Sequence, residues 1–232
     1  MVTPAGQFIS ALANQHRVLV IGGLAVIAHG FNRPTKDADI WLDPLDSPTT
    51  WAGVLERICA GFPGLSIHTL PGWRPVAGPE ISQAAEEIGM VRILGLDCPV
   101  DIFRRPNEFP SDSFDEVFER GTPNTDGTRL PDPLDLIITK LNTWRDKDLD
   151  DSRHLESVIR KRYQTILPSA SLDEVRKLFD RFLDWEVCRI ALENPSQDVR
   201  NYTIECLREM AGEGDPFSQA LLEDHKIPYS GG

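Results

Sequence analysis

Residues 18 to 42 read VLVIGGLAVIAHGFNRPTKDADIWL, and no other stretch of this chain restricts its fold as much. Val18 to Ile21 form an apolar run without alternation, the pattern of a strand covered on both faces. Gly22 and Gly23 interrupt it, and GGLAVIAHG predicts a helix that opens at the glycines and closes at Gly30. ADIWL predicts a second strand, with Asp37 just before it and Asp39 within it. Acidic residues are poor strand formers, and a buried carboxylate is costly unless it is paired or bound to a metal. Strand side chains alternate, so Asp37 and Asp39 point to one face with Cα atoms roughly 6.5 Å apart. Two such carboxylates can converge on a divalent ion. The glycines permit close approach of a triphosphate, and the helix beginning there offers N–H donors. A Gly-Gly turn or an Asp-Ala-Asp strand end is ordinary by itself. The ordered combination, with residues 24–36 between them, is not.

The rest of the first half continues as an α/β pattern. AGQFISALAN suits a short helix before the first strand, and PTTWAGVLERICAGF a helix capped by Thr49 or Thr50. LSIHTL is a strand, and ISQAAEEIG a weak helix or an insertion. MVRIL, GLDCP and VDIF read as a hairpin. A turn-rich stretch, RGTPNTDGTRLPDP, follows. Beyond Pro133 the periodicity is helical, in LDLIITKLNTW, DSRHLESVIRKRY, SLDEVRKLFDRFLDWEVCRIALE, QDVRNYTIECLREMA and SQALLEDH. The composition shift near residue 131 predicts an α/β domain over 1–131, a helical domain over 132–226 and a flexible tail over 227–232.

Composition sets the function classes. The net charge of −12 disfavours broad binding to nucleic-acid phosphates and favours cations and basic small molecules. Arg160, Lys161 and Arg162 are a compact basic cluster, read as an exposed helix end. Cys59, Cys98, Cys188 and Cys206 lack CxxC or zinc spacing and read as reduced thiols in a cytoplasmic protein. The longest apolar run falls short of the ~20 residues a membrane span needs, and the N-terminus has no signal-peptide pattern. GxxxxGK[ST] and GxGxxG are absent, which disfavours a P-loop or dinucleotide site. His29 and His68 are isolated and weak as site candidates, and Trp41 reads as a core residue.

Gly22, Gly23, Gly30, Arg33, Thr35, Asp37 and Asp39 together resemble the signature of the DNA polymerase β-like nucleotidyltransferase superfamily. Within it they look most like the AbiEii-type abortive-infection toxin branch and antibiotic-modifying relatives. The resemblance is strong over 18–42, looser over 90–155, and absent beyond. It implies a mixed-sheet α/β core with flanking helices and a helical domain after it. It also implies a third carboxylate on a later strand. Asp101 in PVDIF is the favoured choice, and Asp97 in the turn-like GLDCP is the competitor.

By the same resemblance, Asp37, Asp39 and Asp101 hold two magnesium ions, with manganese as the alternative, while Gly22, Gly23, Arg33 and Thr35 contact the nucleotide. A second constellation lies in PDPLDLIITKLNTWRDKDLDD. Lys140, expected on a helix, and Arg145 would neutralise the triphosphate. Asp148 and Asp151, on one helix face, would act as base or orient the acceptor. Against these roles stands a solvated charged face with a helix cap. The implied reaction transfers NMP from an NTP to a hydroxyl of a small molecule, a tRNA or a protein, with release of pyrophosphate. The alternative is a non-catalytic nucleotide-binding or interaction module, with an antitoxin as partner.

Overall fold

The computed structural model describes residues 3–106, 113–140 and 145–228. The chain forms two compact units, Met1–Leu155 and Glu156–Gly232. The first contains α1 (Pro4–Ala13), β1 (Val18–Ile21), α2 (Gly22–Ala28), β2 (Ala38–Leu42), α3 (Pro48–Ala60), β3 (Ser66–Thr69) and β4 (Arg74–Val76). It continues with α4 (Pro79–Glu87), β5 (Met90–Leu94), β6 (Val100–Phe103), α5 (Phe114–Arg120), β7 (Thr122–Pro123), β8 (Arg129–Leu130) and α6 (Pro133–Ile138). The helix α7 (Asp146–Ile166) starts in this unit and runs into the next.

Among the described residues the strands form one mixed sheet in the order β4-β3-β5-β6-β2-β1-β8-β7. β2 lies between β1, antiparallel to it, and β6, parallel to it. β5 and β6 are the antiparallel neighbours that the hairpin pattern predicts. The alternation along these strands builds two cores. Ala38, Ile40 and Leu42 of β2 join Val100 and Ile102 of β6 against α1, α3 and α4. Trp41 faces the other way and packs with Leu19, Ile21, Val26, Phe114 and Leu136. Its indole N–H donates to the Arg104 carbonyl oxygen, so its burial leaves no unmet donor. Asp39 and Asp101 share Trp41's parity and lie on this second face.

Several elements differ from the sequence pattern. The cap of α3 is Ser47, whose Oγ accepts from the Thr50 N–H, and not Thr49 or Thr50. ISQAAEEIG is a helix, α4, packed on α3. The turn-rich stretch contributes β7 and β8, whose two-residue length leaves no period to read. The composition break near 131 is not where the compact units divide. Leu136 and Leu155 are buried in the second core of the sheet, because α6 and the start of α7 cover its face. Helical periodicity reports which face is apolar and not what covers it.

The second unit holds a 3-10 turn (Leu167–Ser169), α8 (Leu172–Phe179), α9 (Trp185–Ala191), α10 (Gln197–Gly212) and α11 (Pro216–Asp224). The continuous periodicity of 171–193 is split in two, because Asp184 adopts extended backbone and caps α9 at the Val187 N–H. The basic cluster contains a paired cation. Arg160 binds Asp184 through Nε at 2.8 Å and Glu156 through Nη2 at 3.3 Å. Ile227 and Pro228 follow α11 without secondary structure, and 229–232 of the expected tail lie outside the described residues, as do 141–144. No described helix is long and apolar enough to cross a membrane.

Candidate functional site

Strand register creates the centre of the site. Asp39 is opposite Asp101 across the parallel β2–β6 pair, and opposite Ile21 across β1–β2. Asp37 lies two residues before Asp39 and accepts a hydrogen bond from Thr35 Oγ1 at 3.1 Å. Burial pushes the Asp39 carboxyl from 3.8 up to about 6, helped by the negative charges of Asp37 and Asp101. Lys140 and the Gly23 N–H, which donates to Asp39, pull the other way.

The glycines are required by this carboxylate and its neighbours. Gly22 has φ +61, and a Cβ there would stand 1.9 Å from Asp39 Oδ2. A Cβ on Gly23 would stand 2.7 Å from Thr35 Oγ1 and 3.1 Å from Arg33 Nη2. Gly22→Ala is therefore expected to cost at least about 2 kcal/mol, combining an unfavourable φ with displacement of Asp39. Chemical denaturation measures it, and a change within about 0.5 kcal/mol, as at an ordinary surface position, would show that the glycine is not needed there.

The third carboxylate has a partner that the sequence pattern did not reveal. Arg92 is opposite Asp101 across β5–β6. Its Nε and Nη2 each bind one Asp101 oxygen at 2.6 Å. The guanidinium carbon also lies 3.8 Å from the centre of the Trp73 ring. An arginine inside the apolar strand MVRIL is the same kind of signal as an aspartate inside VDIF, and could have been read that way. Asp97, the competing choice, instead accepts from the Ala5 N–H at 2.7 Å and steadies the start of α1.

Arg33, Lys140, Arg145, Asp148 and Asp151 form an ion-pair network. Arg33 binds Asp151 through Nε at 2.6 Å and Nη2 at 2.7 Å. Lys140 Nζ is 3.0 Å from Asp151 and 3.3 Å from Asp148. Arg145 Nε also donates to Asp148. Lys140 lies in the turn after α6, not on the helix, and its side chain is 7% exposed. A solvated helix face is thus excluded for Lys140. Asp148 and Asp151 do share a face of α7, but it is a buried one, at 2% and 0% exposure. They hold the cations instead of facing the site.

A cavity of about 340 Å³ brings most of these groups together. Gly22, Gly23, Arg33, Thr35, Asp37 and Asp39 line it, as do Asp101, Lys140 and Arg145; Asp148 and Asp151 do not. Arg92, Lys147, Leu70, Trp73, Met90 and Phe103 line it as well, and were not among the sequence candidates. His29 and His68 stand outside the lining. His29 Nε2 meets the Pro131 carbonyl oxygen at 2.9 Å, and His68 meets Ser66 and the Trp73 carbonyl oxygen.

The donor set fits a hard divalent cation in part. Asp37 and Asp39 both line the cavity, and their mutual repulsion would be relieved by a cation. Asp101 would join them only if Arg92 let go. In keeping with that, no group of three or more His, Cys, Asp or Glu side chains among the described residues is gathered as a metal site.

No protein-family model matches the chain, and no curated protein matches it in sequence. Solved structures similar to it include a protein from H. pylori described as a nucleotidyltransferase. That likeness is 15% identity over 86% of this chain and 92% of the other, with a TM-score of 0.35. They also include terminal uridylyl transferase 4 from Trypanosoma brucei with bound GTP, at 14% identity and a TM-score of 0.33, covering 92% of this chain and 65% of the other. Likeness this remote identifies neither activity nor substrate.

Proposed function

We propose that the chain is a nucleotidyltransferase that moves NMP from an NTP to a hydroxyl acceptor. One observation carries the reading. In-register carboxylates on β2 and β6 share a cavity with a glycine turn and the cations Arg33, Lys140 and Arg145. The triphosphate would lie along these cations, which neutralise charge on the leaving pyrophosphate. The acceptor oxygen attacks the α-phosphorus, the bond to the bridging oxygen breaks, pyrophosphate leaves, and the hydroxyl proton passes to water. Asp37 and Asp39 would hold a divalent cation, magnesium or manganese, which when bound supplies Lewis-acid stabilisation. A second ion would require Asp101 as well. Arg33 and Lys140 are fixed by Asp151 and so present an ordered positive edge.

A second reading has its own support. Both Asp101 oxygens are engaged by Arg92, which leaves Asp37 and Asp39 to meet a cation unless Arg92 releases its partner. A protein that binds nucleotide without transferring it would tolerate that arrangement. The AbiEii-type branch and an antitoxin partner rest on the sequence resemblance alone, and the cytoplasmic address on the cysteine pattern and the N-terminal sequence.

Magnesium–NTP is expected to raise the melting temperature under either reading, by about 2.7 kcal/mol of added stability at a hundredfold excess over Kd. A thermal-shift titration with all four NTPs, with and without magnesium, measures it. No shift with any of them would remove both readings. Label transfer from α-labelled NTP to any component of a cell extract separates the first from the second.

A further inference from the structure

The cavity is not uniform, and the sheet order says how it is divided. The carboxylates stand on β2 and β6, in the middle of the sheet. On the β1 side lie the glycine turn, Arg33 and, through the packing of α6 on α2, Lys140. On the β5 side lie Leu70, Trp73 and Met90, and with Phe103, which pairs with Met90 from the end of β6, they give the lining an apolar wall. The cation that this side contributes to the lining, Arg92, has its Nε and Nη2 on Asp101. Resting on the transferase reading, we propose that this wall is the acceptor subsite, and that the acceptor is a small alcohol without anionic groups that bears a flat aromatic ring.

Three observations support this. Attacking and leaving oxygens stand roughly in line across the α-phosphorus. If pyrophosphate leaves toward Arg33 and Lys140, the attacking hydroxyl comes from the side of Trp73 and Leu70. Second, Trp73 is held in place for contact. Arg92 stacks on its ring at 3.8 Å, and its carbonyl oxygen meets His68 Nδ1 at 2.7 Å. Its φ of 53 is unfavourable for a bulky residue, and such strain persists where the surroundings impose it. Third, Leu70, directly after β3, lines the same cavity and is 38% exposed, high for a large apolar side chain. A ring held between these groups gains stacking and apolar burial. The wall is apolar and offers the phosphates of an RNA end little beyond Arg92, while Arg33 and Lys140 lie on the other side of the carboxylates.

Saturation-transfer NMR tests the subsite on the whole chain, with magnesium and a saturating α,β-methylene NTP analogue. The probes are N-acetyl-tyrosinamide for a phenol and adenosine for a nucleoside, with sorbitol as a ring-free alcohol and a short RNA oligonucleotide. Either ring probe should bind better than sorbitol. Trp73→Ala should weaken that probe about tenfold, the loss of one ring contact, while Trp73→Phe keeps most of the affinity. The magnesium–NTP thermal shift should be unchanged in both variants. The proposal is overturned if ring probes bind no better than sorbitol, if only the oligonucleotide binds, or if Trp73→Ala weakens NTP equally. The last result would give the wall to the nucleobase. If no NTP shifts the wild type while ring probes, titrated without the analogue, still depend on Trp73, the transferase reading falls and the ring site stands.

Discussion

Asp39→Asn is expected to abolish transfer while making the ligand-free protein more stable at neutral pH. Its carboxyl is pushed from 3.8 up to about 6 by burial and by Asp37 and Asp101. Between these two values the folded chain keeps a proton that the unfolded chain has lost. The contribution of Asp39 to stability therefore falls as pH rises from about 4 to about 6, and is flat on either side. The shift corresponds to roughly 2–3 kcal/mol. Asparagine lacks this slope and still offers an oxygen to the Gly23 N–H. The two proteins should thus be close in stability at pH 3.5, and the variant ahead at pH 7 in chelator. With magnesium and NTP the order should reverse, since the variant has lost an oxygen donor of the site. Denaturant melts across this pH range, repeated with ligand, decide it. If Asp39→Asn is instead less stable in chelator at pH 7 by more than about 1 kcal/mol, the usual cost of a lost structural hydrogen bond, Asp39 is structural and does not belong to a metal site.

Removing Lys140 should have the largest effect on the fold. Lys140 bridges Asp148 and Asp151, and all three are at most 7% exposed. Removing one partner of a buried ion pair leaves uncompensated charge and costs about 3–5 kcal/mol. The remaining pairs, Arg33–Asp151 and Arg145–Asp148, place Lys140→Ala at the lower end. Lys140→Met keeps most of the stem and should lose nearly as much, because the charge is what the network needs. Combining Lys140→Met with Asp151→Asn should cost less than the sum of the single changes, the signature of direct coupling. Equilibrium unfolding of the four proteins provides the cycle. A loss within about 0.5 kcal/mol for Lys140→Ala would place the residue on an ordinary surface. Where the variant folds, its Michaelis constant for NTP should rise as well, since Lys140 lines the cavity.

The thiols fit none of this chemistry. Burial pushes Cys59 up to about 11 and also raises Cys188 and Cys206, so these cysteines stay protonated at neutral pH.

Local pattern was enough for the elements that carry the site. Alternation within ADIWL and VDIF puts Asp39 and Asp101 on the face opposite Ile40 and Ile102, whatever those strands pair with. The Gly-Gly pair after an apolar strand marks a backbone turn at φ +61 that only glycine holds easily. These are short-range consequences of period and sterics, and they can be read from neighbours in the chain. Only the tertiary structure decided who faces whom. The pairing of β5 with β6 delivered Arg92 to Asp101, and no periodicity within MVRIL states its register against another strand. Arg33 and Asp151 meet across 118 residues of sequence. Lys140, whose sequence context allows either a phosphate contact or a solvated face, is buried because two aspartates three residues apart on α7 turn inward to meet it. Charge partners are chosen by packing of distant elements, and a sequence shows the charges without showing that packing.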